Sequence, residues 1–235
     1  MKTKVQSLAP CGILRFNNAS SARLGMNVSR FLFALAALVL AIPGAGFAQS
    51  SSFGDDGAVF LVAHPAFRDL DYRQTVLIAA PIPNGGYVGV IINRPTRRSL
   101  TSLFPEHEPS QKVIDPVYYG GPFSRGALVA LIKTGTHPGA GSVPIMNNLY
   151  LTFRANTIDK VIEQAPNDAR YYVGYVGWQP GELKSEIERG LWSVQSANLD
   201  AVFRKDTDGL WEELIVHSRR IQADAAQFPG RLALE

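Results

Sequence analysis

The sequence predicts a single α+β domain, because strand-like runs dominate its earlier part and helical periodicity appears mostly later. The chain has 235 residues, of which 46% are hydrophobic and 18% charged. That length and balance are typical of one globular domain with a packed core. Strands are predicted over apolar and β-branched runs at 58–63, 75–80, 87–92, 117–119, 127–133 and 171–176.

The second and third predicted strands are joined by six residues rich in turn formers. The segment 81–86 reads Pro-Ile-Pro-Asn-Gly-Gly. Proline and glycine set the backbone angles that tight connections need, so these two strands are predicted to form a hairpin with a longer loop.

Three helices are predicted from apolar residues that recur on one face. The first is capped by Asn156 and ends before Pro166, with apolar positions Ile158, Val161, Ile162 and Ala165. The second starts at Pro180 and ends near Gly190, with Leu183, Ile187 and Leu191 on one face and a Lys184–Glu188 pair on another. The third spans 209–218, with Leu210, Leu214 and His217 on one side.

The N-terminal region is predicted to be an export signal. Residues 1–48 carry five basic residues and no acidic one, and without them the chain has 18 basic and 20 acidic residues. The apolar run 31–42 is shorter than the roughly 20 residues that a membrane-spanning helix needs, and Gly46-Phe47-Ala48 suits signal cleavage. We therefore expect a periplasmic or secreted protein. An uncleaved tether and a cytoplasmic location are the alternatives.

These features predict the domain organisation. An over-called, unstructured extension covers 1–25, the signal peptide 26–48, a linker 49–57, the domain 58–218 and a C-terminal tail 219–235. The single cysteine, Cys11, lies in the extension. The exported domain is therefore expected to use no disulfide or thiol chemistry.

Familiar catalytic motifs are absent from the sequence. It contains no phosphate-binding glycine loop, no Gly-x-Ser-x-Gly elbow and no His-Glu-x-x-His pair, and its four histidines lack metal-ligand spacing. We therefore expect no metal or cofactor, and catalysis is not favoured. His64 at a strand end and the Glu182/Glu186 pair are the candidates for an enzyme, but a structural imidazole and a solvated helix flank are preferred. The basic run 94–98 is interpreted as a solvated loop rather than a nucleic-acid contact.

Several sequence blocks resemble the YqgE/AlgH family. Gly86 to Pro95 matches its Gly-x-x-Gly-x-x-x-Asn-Arg/Lys-Pro block. The other matching segments are 60–69, 72–76, 120–122, 174–183 and 186–187, together with Trp192, Phe203 and Trp211. The similarity covers about 60–215, nearly all of the predicted domain.

The resemblance implies a small barrel-like, branched mixed β-sheet flanked by helices. Some family members are called transcriptional regulators, after a link to alginate production, but the family has no agreed activity or catalytic residues. This chain departs from the family at 80–83, Ala-Pro-Ile-Pro where Glu-His is common, and at 181–184, Gly-Glu-Leu-Lys where Gly-Gln-Leu-Glu is usual.

We expect any ligand or partner site where polar groups lie beside glycines that expose the backbone. The candidates are Asn93, Arg94, Gly120, Gly121, Trp178 and Glu182. The favoured function is a non-catalytic binding or regulatory module that contacts an unknown protein or small molecule outside the cytoplasm. The alternatives are an uncommon hydrolase and a transcriptional regulator. Export and a charge near −2 argue against nucleic acid, and membrane contact is expected only through an uncleaved signal.

Overall fold

The computed structural model describes the backbone of residues 57–227 and side chains as far as residue 220. The predicted extension, signal peptide and nearly all of the linker lie outside the described residues. Among the described residues, no helix is both long and apolar enough to cross a membrane.

In this described part of the chain, nine strands form the sheet, and all six predicted strands are among them. The strands are β1 Val59–Ala63, β2 Val76–Pro81, β3 Tyr87–Ile91, β4 Tyr118–Tyr119, β5 Phe123–Lys133, β6 Ser142–Met146, β7 Leu149–Thr152, β8 Ala169–Trp178 and β9 Trp192–Ser196. Their order is β6-β7-β5-β8-β3-β2-β1-β9, with β4 parallel to β8. The predicted β2–β3 hairpin is confirmed, with Pro81 opposite Tyr87.

The sheet branches at β8 and curls into a half-barrel. The first half of β8 pairs with β5 and β4, whereas its last three residues pair with β3. The curl brings the start of β1 against β6, where the Ala58 amide donates to the Ile145 carbonyl at 3.2 Å. The predicted α+β class, with a branched, barrel-like sheet and flanking helices, is confirmed.

Five α-helices and one 3₁₀ helix are found in the described residues. They are α1 Leu100–Leu103, α2 Ala155–Gln164, α3 Glu182–Glu188, α4 Leu199–Val202 and α5 Leu210–Gln227, with the 3₁₀ helix at Glu108–Lys112. Helices α2, α3 and α5 are the predicted ones.

The helix ends differ from the prediction in three places. Arg154, not Asn156, occupies the N-cap of α2, and no side chain caps that end. Helix α3 begins at Glu182 because Gly181 precedes it at φ +81°, so Pro180 lies outside the first turn. Helix α5 continues to Gln227, past the predicted end at Ser218.

The two faces of the sheet bury separate cores. Alternate residues such as Phe60, Ile78 and Val90 pack on one face, under α4 and α5. Their neighbours Leu61, Leu77 and Ile91 pack on the other, where Trp178, Leu183 and Trp192 cover them. A third core lies between α2 and β5/β8. The second core underlies the candidate site.

Candidate functional site

The connection between β1 and β2 is unusually long for adjacent antiparallel strands. We call residues 64–75 the β1–β2 loop. Adjacent strands need only about 2–5 connecting residues, so this loop of twelve residues is longer than the topology requires. Long ordered loops on a rigid sheet commonly carry function.

Arg94 binds the backbone of this loop through three hydrogen bonds. Its Nη1 donates to the carbonyl of Asp71 at 2.9 Å, and its Nη2 donates to the carbonyls of Leu70 and Arg73 at 3.2 and 2.9 Å. Partial burial lowers the pKa of Arg94 from its ordinary value, but the guanidinium stays charged at physiological pH. The planar fork therefore fixes the loop backbone at three points.

Asn93 fixes the end of the loop. Its Oδ1 accepts from the Val76 amide at 2.8 Å, and its Nδ2 donates to the Gln74 carbonyl at 3.0 Å. The oxygen and the nitrogen of the Asn93 side-chain amide are therefore both hydrogen-bonded to the backbone. The Asn93-Arg94 motif therefore holds the loop backbone in place.

The outer side of the loop carries a charged and aromatic network. The Asp71 carboxylate accepts from the Tyr119 hydroxyl at 2.8 Å and forms an ion pair with Arg125 at 3.0 Å. Arg125 also lies over the Tyr119 ring, 5.6 Å from its centroid. Burial, together with donation to Asp71, raises the pKa of Tyr119 to about 12, so its hydroxyl stays a hydrogen-bond donor.

Backbone strain is present on both segments that this network joins. Gln74 in the loop has φ +54°, and Ser124, next to Arg125, has φ +49°. Non-glycine residues in the left-handed region cost roughly 1–3 kcal/mol and concentrate at functional sites. The strain therefore marks this surface as a candidate for function.

The inner side of the loop is aromatic. Phe67, Tyr72 and Trp192 pack with ring centroids 5.1 to 5.9 Å apart. Burial raises the pKa of Tyr72, and the negative charge of Glu186 raises it further. The hydroxyl is therefore neutral at physiological pH.

One carboxylate oxygen of Glu186 joins two tryptophans. Its Oε2 accepts from the indole N–H of Trp178 at 2.9 Å and from that of Trp192 at 2.8 Å. Both indoles are buried. A buried N–H must find an acceptor, so Glu186 fixes α3 against the ends of β8 and β9.

The six predicted site residues fall into two groups at opposite ends of β3. Asn93, Arg94 and Gly120 lie together, because the Ile91 amide donates to the Gly120 carbonyl at 2.9 Å. Trp178 pairs with Tyr87 at the other end of the strand, about 13 Å from Ile91 at a strand rise of about 3.3 Å per residue. The six do not converge on one point, and their ligand role stays a prediction.

Of the remaining members, Gly121 follows Gly120 at the sheet branch, where an added Cβ would lie 2.4 Å from the Tyr175 carbonyl oxygen. Glu182 is exposed and accepts from the Gln179 amide at 2.8 Å, which closes the first turn of α3. Both residues have structural roles in the geometry.

The alternative catalytic residues also make local contacts. His64 lies exposed at the end of β1, and its Nδ1 accepts from the Ala66 amide at 3.2 Å. His217, placed by its periodicity at the edge of the core, is instead exposed on α5. Arg97 and Arg98 are exposed, as expected for a solvated loop, but Arg94 is not.

Sequence reasoning missed Asp71, Tyr119 and Arg125 as a group. Asp71 and Arg125 are 54 residues apart, and no spacing rule joins them. The one local signal was the loop's mixture of acidic and aromatic residues. Among the described residues, no group of three or more His, Cys, Asp or Glu side chains could hold a metal ion.

The AlgH-like family model, DUF179, matches residues 60–221. The chain belongs to the AlgH-like family. A UPF0301 protein of Thermobifida fusca is 32% identical over 180 residues, covering 72% of this chain and 90% of that protein. The UPF0301 protein YqgE of Shigella boydii is 27% identical over 182 residues, covering 73% and 94%.

Two solved structures share the fold. The solution structure of the AlgH protein from Pseudomonas aeruginosa has a TM-score of 0.53 at 22% identity, covering 75% of this chain and 90% of that one. A crystal structure of a Corynebacterium diphtheriae protein has a TM-score of 0.57 at 22% identity, covering 68% and 86%. The resemblance to the family inferred from sequence motifs is confirmed, and so is the fold.

Proposed function

We propose that this AlgH-like protein is an exported, non-catalytic binding module, and that the β1–β2 loop is its partner-binding surface. The observation that carries the proposal is the anchoring of the loop by Arg94 and Asn93. A loop whose backbone is fixed by four hydrogen bonds, with a fifth to Val76 directly after it, loses little conformational entropy on binding, which favours affinity.

The exposed side chains indicate a protein as the partner. Leu70 is 71% exposed at the tip of the loop although its carbonyl is held by Arg94. Arg68, Asp69 and Arg73 around it are exposed and of both signs. Small molecules bind in concave sites, whereas an apolar anchor within a charged rim is typical of protein interfaces.

The hydrolase alternative is supported by a single contact. His107 Nδ1 lies 2.7 Å from Ser110 Oγ, the spacing of a base and a nucleophile. Ser110 is fully buried in the 3₁₀ helix, so a substrate cannot reach its hydroxyl. The contact is better explained as a hydrogen bond that closes this short helix.

Export is tested by fractionating host cells and measuring the intact mass of the protein. We expect a periplasmic or secreted species that begins at Gln49, because the small residues before it suit signal cleavage. Such a species would not meet chromosomal DNA, which also tests the regulator alternative. A full-length species in the cytosol would contradict the proposed location.

Photo-crosslinking tests the binding surface. With a photoreactive phenylalanine analogue in place of Leu70, we expect one dominant protein adduct in living cells, because the exposed side chain would contact the partner directly. Ile114 is the matched control: it is 78% exposed but lies on another segment. Adducts are identified by mass spectrometry after irradiation.

The comparison between the two positions decides the result. An adduct that forms from Leu70 and not from Ile114, and that Asp71→Lys abolishes, supports the proposed surface. The same adducts from both positions, or none from Leu70, would count against it.

A further inference from the structure

A second surface, far in sequence from the β1–β2 loop, lies between β9 and α5. It is an open groove of about 850 Å³. Its lining residues are Val194, Gln195, Ser196, Asn198, Glu213, Leu214, Val216, His217 and Arg220. The groove is preformed, because Gln195 Nε2 donates to the Leu214 carbonyl at 2.8 Å and to the Ser218 hydroxyl, so strand and helix are held together.

In the described residues, no other element covers the outer edge of β9 or the exposed side of α5. Strand β9 is an edge of the sheet and pairs only with β1 there. Val194 on β9 is 39% exposed, and Val216 on α5 is 44% exposed. Exposed apolar residues beside an open strand edge are a surface that proteins usually cover.

Four of the exposed residues of α5 form a stripe with the spacing of a helix-packing face. Glu213, Val216, His217 and Arg220 are all exposed and follow the i, i+3, i+4, i+7 pattern. Glu213 and Arg220 lie at equal distances from the midpoint between Val216 and His217. An acidic residue therefore occupies one end of the stripe and a basic residue the other.

This arrangement is complementary to itself. In a two-fold dimer, residue i of one copy meets residue j of the other, and j meets i. If two copies of α5 cross antiparallel at the midpoint of the stripe, each Glu213 faces the other copy's Arg220. The two Val216 side chains then lie near the axis. We propose that the β9/α5 groove is a homodimerisation surface, occupied by the α5 stripe of a second copy.

The charges on the stripe favour the α5 helix of a second copy, rather than an added peptide strand, as the occupant of the groove. Arg220 is exposed and makes no ion pair or hydrogen bond with another described residue. Glu213 already contacts Arg204 but keeps 59% of its side chain exposed. A specific interface of standard size uses roughly 20–30 residues on each side, whereas nine line this groove. The dimer is therefore expected to be weak and dependent on concentration.

A charge-swap series on the full chain tests the proposal by sedimentation velocity across a range of concentrations. The wild type is expected to pass from monomer to dimer as concentration rises. Glu213→Arg and Arg220→Glu should each weaken association about tenfold or more, because each creates two like-charge pairs across the axis. Glu212→Arg, the same charge change on the same helix but outside the groove, should associate like the wild type.

Mixing the two single variants gives the sharpest outcome. In the mixed dimer, the arginine introduced at position 213 of one chain would face the glutamate introduced at position 220 of the other, and the second contact would keep the natural Arg220–Glu213 pair. Equimolar Glu213→Arg and Arg220→Glu chains should therefore dimerise with each other and not with themselves, as native mass spectrometry can resolve. A wild type that stays monomeric at every concentration would overturn the proposal. So would single variants that associate normally, or a mixture that does not recover.

Discussion

Gly174→Ala is expected to lower the free energy of unfolding by more than about 4 kcal/mol, which is at the extreme of single substitutions. Gly174 is buried in the middle of β8, where the sheet branches, and its φ is +74°. A Cβ there would lie 2.2 Å from the Gly121 carbonyl oxygen and 3.0 Å from that of Phe123. Because both obstacles are backbone, neither can rotate away.

Two other glycines separate the effect of the positive φ from that of the steric clash. Gly181 has φ +81° but nothing within 4 Å of an added Cβ, so Gly181→Ala measures the conformational term alone, about 1–2 kcal/mol. Gly126 has neither constraint, so Gly126→Ala should be close to neutral. Urea unfolding followed by far-UV circular dichroism gives all three values. If Gly174→Ala were no worse than Gly181→Ala, the close backbone approach at the branch would not be a constraint.

The elements that sequence predicted are those with a local signal. Apolar runs bounded by turn residues identified six strands, and one-sided periodicity identified the three longer helices. Strand β6 was missed because it contains Pro144, which usually excludes a strand. The proline is tolerated because β6 lies at an edge of the sheet. Strand β9 was missed because its five residues, Trp-Ser-Val-Gln-Ser, follow closely on a helix and include only two apolar side chains.

The candidate site was predicted only in part, because only some of its residues carry a local signal in the sequence. The Asn93-Arg94 motif stands out in the sequence as a polar cluster, but its side chains bind loop backbone that precedes it by about twenty residues. The sequence shows that a guanidinium is present, but it does not show which carbonyls the guanidinium contacts. The pairing of Glu186 with two indoles likewise depends on how α3 packs beside β9, which no spacing rule supplies.

Arg170 is the clearest example of a residue whose role could not be predicted from the sequence. It lies one position before the predicted start of its strand. Its side chain is 0% exposed. Nη1 donates to the Val202 carbonyl at 2.7 Å, and Nη2 donates to the Arg204 carbonyl at 3.0 Å. Nη2 also pairs with the Asp115 carboxylate at 3.3 Å, and the guanidinium lies 4.4 Å from the centroid of the Tyr118 ring.

Arg170→Met is expected to lower the free energy of unfolding by about 3–5 kcal/mol, the usual effect of breaking a buried, hydrogen-bonded charge. Methionine fills much of the volume but leaves the carbonyls of Val202, at the end of α4, and Arg204, after it, without these donors. Asp115 is 30% exposed, so water can solvate its carboxylate, and Asp115→Asn should cost only about 1 kcal/mol. Arg170→Lys should fall between them, because a single ammonium cannot reproduce the fork that reaches both carbonyls.

The ratio of these values identifies what Arg170 does. A large loss for Arg170→Met beside a small one for Asp115→Asn means that the arginine acts chiefly by holding the end of α4 and the residues after it against β8. Equal losses would instead show that the ion pair dominates. Hydrogen exchange adds a local readout: in Arg170→Lys, amides near Val202 should exchange faster while those of β2 and β3 keep their protection, because the bonds that are lost anchor the end of α4 and the residues after it.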